Sequence, residues 1–152
     1  MPQSLSKVAI HLVFSTKHRH PVLKPRSLCD ELYAYMATIL RDNVDSPAII
    51  IGGVEDHIHA LFLLSRNFAM KDVVQQAKTE TSKWVKRQAT ALSQFSWQGG
   101  YGAFSVSESN IAEVKAYIAN QEMHHRNMTF KEEFRELCRR HGITIDERYV
   151  WD

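Results

Sequence analysis

Cysteine is scarce in this chain. Only Cys29 and Cys138 occur. They lie far apart, form no CxxC pair and offer no disulfide framework. A reducing cytosol is the natural compartment for such a protein. Long apolar runs are missing as well, and nothing approaches the ~20 residues needed to cross a bilayer. The segment Met1 to Ser6 is polar, and the short apolar stretch after it is interrupted by His11. That is not the layout of a signal peptide. Neither sign of charge is in large excess: the formal net charge is +2 and the sequence pI about 8.6. A balance this mild does not by itself announce a nucleic-acid partner. No internal repeat, low-complexity segment or linker is visible.

What remains is an ordinary globular composition, with 44% apolar and 24% charged residues. A chain of 152 residues suits a single domain over residues 1–152 with a sizeable core. The eight histidines are more informative, because imidazole serves as metal ligand, proton carrier and phosphate donor.

Hydrophobic periodicity divides the chain into elements. Val8, Ile10, Leu12 and Phe14 recur at every second position, which predicts a strand with one buried face. Ser27, with Asp30 three residues on, resembles a capping box for a helix that runs to about Asp42. Pro47 opens a second strand, Ala48 to Ile51, which Gly52-Gly53 is expected to end. A third strand follows from about Asp56 to Leu64. A second helix is expected from Met70 to Ala91, with Val73, Val74, Ala77, Trp84 and Val85 inward and Lys71, Lys78, Lys83, Lys86 and Arg87 on its other side. After a Gly-containing loop comes a short strand, Ala103 to Val106. A third helix is expected from Ser107 or Ser109 to about His125. Thr129 and Glu132 cap a last helix, closed near His141 by Gly142. The order is β-α-β-β-α-β plus two helices: an α+β, ferredoxin-like antiparallel sheet with additional C-terminal helices. Helices would cover one sheet face; the other must be covered, solvated or used by a partner chain.

Two patterns carry chemistry. In the third strand His57 and His59 point to one face and Ile58 to the other. Two residues along a strand span roughly 6.5–7 Å, so both imidazoles can converge on one cation. Asp56 and Glu55 are available to orient them, since ligating histidines donate their second nitrogen to an acceptor. An HxH triplet near a hairpin is also met without any metal. In the third helix Tyr117 and Gln121 are four residues apart and share a face at the edge of the Ile111, Val114, Ile118 stripe. A core-edge tyrosine with a glutamine at i+4 is equally an ordinary helix pattern.

Basic residues cluster after the first strand as Lys17, Arg19, Lys24 and Arg26, joined by His18 and His20. With Lys78 and its neighbours on the second helix they are candidates for backbone phosphate contact. Phe104, Trp97 and Tyr101 are candidates for stacking on unpaired bases, although Trp97 and Phe104 also suit a core and the lysine face also suits solvent.

Taken together, these patterns resemble the HUH endonucleases, named for His-hydrophobic-His, and especially the insertion-sequence 200/605 transposases. The similarity lies in His11 to Lys17, in Asp56-His57-Ile58-His59, in Trp97 to Ser107 and in Tyr117 to His125. It implies that His57, His59 and Gln121 hold one divalent cation, Mg²⁺ or Mn²⁺, and that Tyr117 attacks a DNA phosphodiester to leave a 5′-phosphotyrosine and a free 3′-hydroxyl. A free tyrosine has a pKa near ~10, so a cation at the scissile phosphate would favour the attacking phenolate. Mn²⁺ tolerates imidazole better than Mg²⁺ does, so stronger binding or activity is expected with Mn²⁺. The covalent link would conserve the cut bond, so rejoining needs no nucleotide cofactor. The resemblance further implies a homodimer acting on single-stranded DNA hairpins in a bacterial or archaeal cell. The Tyr117 helix would serve its own or its partner's metal site, with Ser107-Glu108-Ser109 as hinge. Three other readings compete: a domesticated relative that acts on repeated extragenic hairpins, a non-catalytic ferredoxin-like nucleic-acid-binding module, and a hydrolase that adds an acidic ligand such as Glu55 to the two histidines.

Overall fold

Alternation in the first strand sorts its side chains into two cores. In the computed structural model, which describes residues 2–152, β1 spans Ala9–Ser15. Ile10, Leu12 and Phe14 enter the larger core, whereas Ala9 and Val13 enter two smaller ones on the opposite face. β3 (His57–Leu63) lies antiparallel to β1, with Val13 opposite His59 and Ser15 opposite His57. It is sorted the same way: Ile58, Ala60 and Phe62 join the larger core and Leu61 the other face. β2 (Ala48–Val54) and β4 (Gly102–Val106) form the edges. The sheet order is β2-β3-β1-β4, and all neighbours are antiparallel. This is the expected α+β, ferredoxin-like arrangement.

The connecting helices α1 (Arg26–Val44) and α2 (Met70–Lys86) cover the larger core with Leu32, Met36, Leu40, Val73, Ala77 and Val85. The second sheet face, whose cover the sequence leaves open, is closed by this chain itself. Ile118 of α3 (Ile111–Ala119) packs on Ala9 and Leu61. Phe130, Phe134 and Leu137 of α5 (Phe130–Arg140) pack on Val13, Phe104 and Trp151. Between them lies the short α4 (Gln121–His124). The C-terminus is tied in, because the Asp152 carbonyl accepts from Gly99 and Gly100. No helix among the described residues is long and apolar enough to cross a membrane.

Several expected boundaries shift for local reasons. α1 begins before Ser27, because the Pro25 carbonyl already accepts from Cys29 N–H and Ser27 lies inside the first turn. α2 ends at Lys86 rather than Ala91; Arg87 N–H tightens onto the Trp84 carbonyl, which the Gln88 side chain also caps. The third helix does not run unbroken to His125. It starts after a 3₁₀ turn over Glu108–Asn110 and breaks at Asn120, whose φ of −104° and ψ of 26° leave the helical region. Thr129 caps α5 as expected, accepting from Glu132 N–H.

The correction at Gly52-Gly53 bears on the site. These glycines do not end β2; they pair with His59 and Ile58. A Cβ on Gly52 would stand 2.8 Å from the Ile118 carbonyl oxygen. The role of Gly52 is close approach of α3 to the sheet, which sets Tyr117, the residue before Ile118, over the histidine strand, whereas a Cβ on Gly53 would meet the backbone of His57 and Ile58. Gly52→Ala is therefore expected to destabilise the fold by about 1–3 kcal/mol, read as a lower urea midpoint with an unchanged slope.

Candidate active site

His57 and His59 lie fully buried on the second face of the sheet. Each is fixed through its Nδ1. The Asp56 carboxylate stands 2.7 Å from that of His57, and His11 Nε2 stands 2.8 Å from that of His59. This leaves both Nε2 atoms facing the space under α4 and α5. His125, which follows α4, is oriented by the same device: its Nδ1 lies 2.6 Å from the Met128 carbonyl, so its Nε2 also points inward. Such outer partners are what fix ligating imidazoles.

Glu133 closes the space from α5. Its Oε1 stands 2.9 Å from His59 Nε2, 3.0 Å from His125 Nε2 and 3.2 Å from His57 Nε2. Its Oε2 accepts hydrogen bonds from the Tyr117 hydroxyl and the Gln121 amide. The Gln121 carbonyl oxygen points inward too, 3.1 Å from both His57 Nε2 and His125 Nε2. One carboxylate thus joins the histidine cluster to the phenol. Ligand atoms of His57, His59, His125 and Glu133 all lie within 4.8 Å of one another, a spacing compatible with a bound metal ion.

The charges explain the titration pattern. Burial alone would lower His57, but the adjoining Asp56 and Glu133 carboxylates raise it to about 9. Burial lowers His59, and burial together with His59 pushes His11 down to about 3. Burial would raise Glu133, but hydrogen bonds from His125, His57 and His59 hold it far below the carboxylate range. Tyr117 is held well above the ordinary phenol value, by burial and by the Glu133 charge beside it.

Tyr117 is half-buried, stacked on His124 at 4.4 Å. Its open side faces a cavity of about 250 Å³ bordered by His11, Asn110, Glu113, Arg140 and His141.

The structure therefore brings His57, His59, Tyr117 and Gln121 together, with Tyr117 beside the histidines of its own chain. Of the other candidates, Phe104 borders the cavity beside Tyr117, and the rest make contacts of their own. Lys78 is half-buried and donates to the Gln98 and Gly100 carbonyls, with burial lowering its pKa to about 8. It braces the loop before β4. Phe104 and Trp97 are buried in the two cores. Arg19 donates to the Trp151 carbonyl, Arg26 pairs with Asp30 and Glu122, and Lys24 is exposed. Lys17 sits half-buried in the 3₁₀ turn Lys17–Arg19. Glu55 is exposed, and the acid in the cluster is Glu133.

Sequence reasoning missed His125 and Glu133 as members. A signal existed for the second: Phe130, Glu133, Phe134 and Leu137 follow the i, i+3, i+4, i+7 rule, so an acid stands on the apolar stripe of α5.

A raised imidazole pKa stabilises the fold fully below the unfolded value and loses that contribution as pH rises through the folded value. For His57 the window runs from 6.5 to about 9. In metal-free protein the destabilisation caused by His57→Gln should therefore shrink as pH rises across that window. Urea unfolding at several pH values checks this, and a constant difference would contradict the charge assignment.

Comparisons with known proteins bear on the fold and the family. No curated protein matches the chain. Two solved structures share its fold. One, described as a transposase from Deinococcus radiodurans R1, is 24% identical with a TM-score of 0.57, over 80% of this chain and 95% of the other. The second is a REP-associated tyrosine transposase bound to a REP hairpin, 10% identical with a TM-score of 0.60, over 82% of this chain and 73% of the other. The profile of the family described as "Transposase IS200 like" matches residues 4–121, a span that contains His57, His59, Tyr117 and Gln121, and the chain belongs to that family.

Proposed function

We propose that this transposase is a metal-assisted single-strand DNA endonuclease and strand transferase of the HUH type, with Tyr117 as its nucleophile. The observation that carries the reading is the Tyr117 hydroxyl, hydrogen-bonded to Glu133 at the edge of a buried cluster of inward-facing imidazoles.

The chemistry follows from the surroundings of the phenol. Tyr117 is protonated at neutral pH, and the Glu133 carboxylate opposes its ionisation. Glu133 is also the hydrogen-bond acceptor already in place, so it orients the Tyr117 oxygen. Attack forms a bond from that oxygen to phosphorus and breaks the bond from phosphorus to the 3′ oxygen, and the proton lost by the phenol is balanced by the one the leaving oxygen takes up as it becomes a hydroxyl. The 5′-phosphotyrosine keeps the phosphodiester's free energy, so a second 3′-hydroxyl can reverse the step without a nucleotide cofactor.

His57, His59 and Gln121 present two imidazole nitrogens and a carbonyl oxygen to one space, a donor set that fits a divalent cation such as Mn²⁺ or Mg²⁺. When bound, the ion supplies positive charge for the phosphate and the phenolate. Burial of both histidines limits water at the cluster. The substrate read from the family is single-stranded DNA with hairpins at the ends of an element, taken by a homodimer. Lys17, Arg19, Lys24 and Arg26 are the basic residues assigned to its backbone. A domesticated nuclease acting on repeated extragenic hairpins is the second reading, favoured by the fold shared with a transposase bound to a REP hairpin.

Labelled single strands from the gene's own flanks, incubated with protein and Mn²⁺ or Mg²⁺, should give a protein-linked band on denaturing gels. Tyr117→Phe should lower that product on the order of 10³-fold or more and leave hairpin binding intact. Cleavage that survives Tyr117→Phe, with no linked band, would point to a hydrolase.

A further inference from the structure

We infer that His125 and Glu133 join the metal site, making it a centre of three imidazoles and one carboxylate beside the Gln121 carbonyl oxygen that selects a borderline transition-metal dication over Mg²⁺. This rests on the metal-assisted reading above and extends it to two residues beyond the matched span of 4–121.

The first argument is spacing. Glu133 Oε1 stands 2.9, 3.2 and 3.0 Å from the Nε2 atoms of His59, His57 and His125. In a tetrahedral site with metal–ligand bonds of ~2.0–2.1 Å, neighbouring donor atoms lie roughly 3.3 Å apart. These three distances, with all four donor atoms within 4.8 Å of one another, are compatible with an ion among them.

The second argument is independent and concerns orientation. A backbone carbonyl only accepts, so His125 carries a proton on the Nδ1 that faces Met128 and turns its Nε2 inward. The Asp56 carboxylate turns His57 in the same way. Both Nε2 atoms then face the Glu133 carboxylate, itself nine-tenths or more buried. A cation in the same space competes with protons for these nitrogens and would be held by the same atoms.

Ion preference follows from the donors. Three imidazole nitrogens suit Zn²⁺, Co²⁺ and, less strongly, Mn²⁺, whereas Mg²⁺ favours an octahedron of oxygens and keeps its waters. The Glu133 carboxylate offsets one of the ion's two charges. Its second oxygen still holds Tyr117, so the ligand also positions the nucleophile.

The test is metal binding by the full chain, read apart from activity. Metal-free protein is titrated with Co²⁺ and followed by its visible absorption, which is intense for a four- or five-coordinate ion and weak for a six-coordinate one. An intense band is expected, with Co²⁺ affinity falling ~10-fold or more in His125→Ala and in Glu133→Gln. A large excess of Mg²⁺ should leave the band in place. X-ray absorption on Zn²⁺-loaded wild-type protein needs no variant and should count three imidazoles. Two imidazoles, unchanged Co²⁺ binding in both folded variants, or displacement of Co²⁺ by equimolar Mg²⁺ would each overturn the inference. Failure of the functional reading is separate. It would show as three imidazoles in a protein that forms no Tyr117-linked product with flanking DNA, whereas linked product with two imidazoles sinks only the ligand assignment.

Discussion

The contact on which the rest depends is the buried carboxylate of Glu133 among three imidazoles, with the Tyr117 hydroxyl on its other oxygen. An isolated carboxylate in such a place would carry a heavy desolvation penalty. Here it is offset by several charged or polar partners drawn from β3, α3, α4 and His125, the residue that follows α4. The same contact ties the C-terminal helix to the sheet, so packing and chemistry share one set of atoms. A change that removes this charge therefore alters both the fold's cover and the phenol's environment.

The sheet makes the arrangement possible because β3 serves two purposes at once. Its period of two places Ile58, Ala60 and Phe62 in the larger core and His57 and His59 on the opposite face. The apolar residues hold the strand rigid, and the histidines inherit that rigidity. Gly52, one strand over, allows the backbone of Ile118 to approach closely. The distance between Tyr117 and the cluster is thus set by backbone packing, with little left to side-chain freedom.

Strand order and helix periods could be read from the chain alone, since alternation and i, i+4 spacing are local properties. Thr129 and Glu132 announced the start of α5 correctly. Errors fell at ends, where one hydrogen bond decides. Pro25 rather than Ser27 opens α1, and Asn120 interrupts the third helix. Gly52-Gly53 has the look of a turn, because glycine marks turns and close approaches alike; only the position of α3 separates the two.

The candidate site divides along the same line. The sequence by itself determined that His57 and His59 share a face, which follows from the geometry of a single strand. It also placed Tyr117 and Gln121 four residues apart on one expected helix, which the structure breaks at Asn120 between them. Only the tertiary structure decided that the two pairs meet, that His125 and Glu133 join them, that Phe104 packs in a core while bordering the cavity at Tyr117, and that Lys78 donates to the loop before β4. The reason is physical. A strand and a helix sixty residues apart are brought together by the packing of a whole sheet, and no local spacing encodes which polar side chains the closing helix will carry into that space.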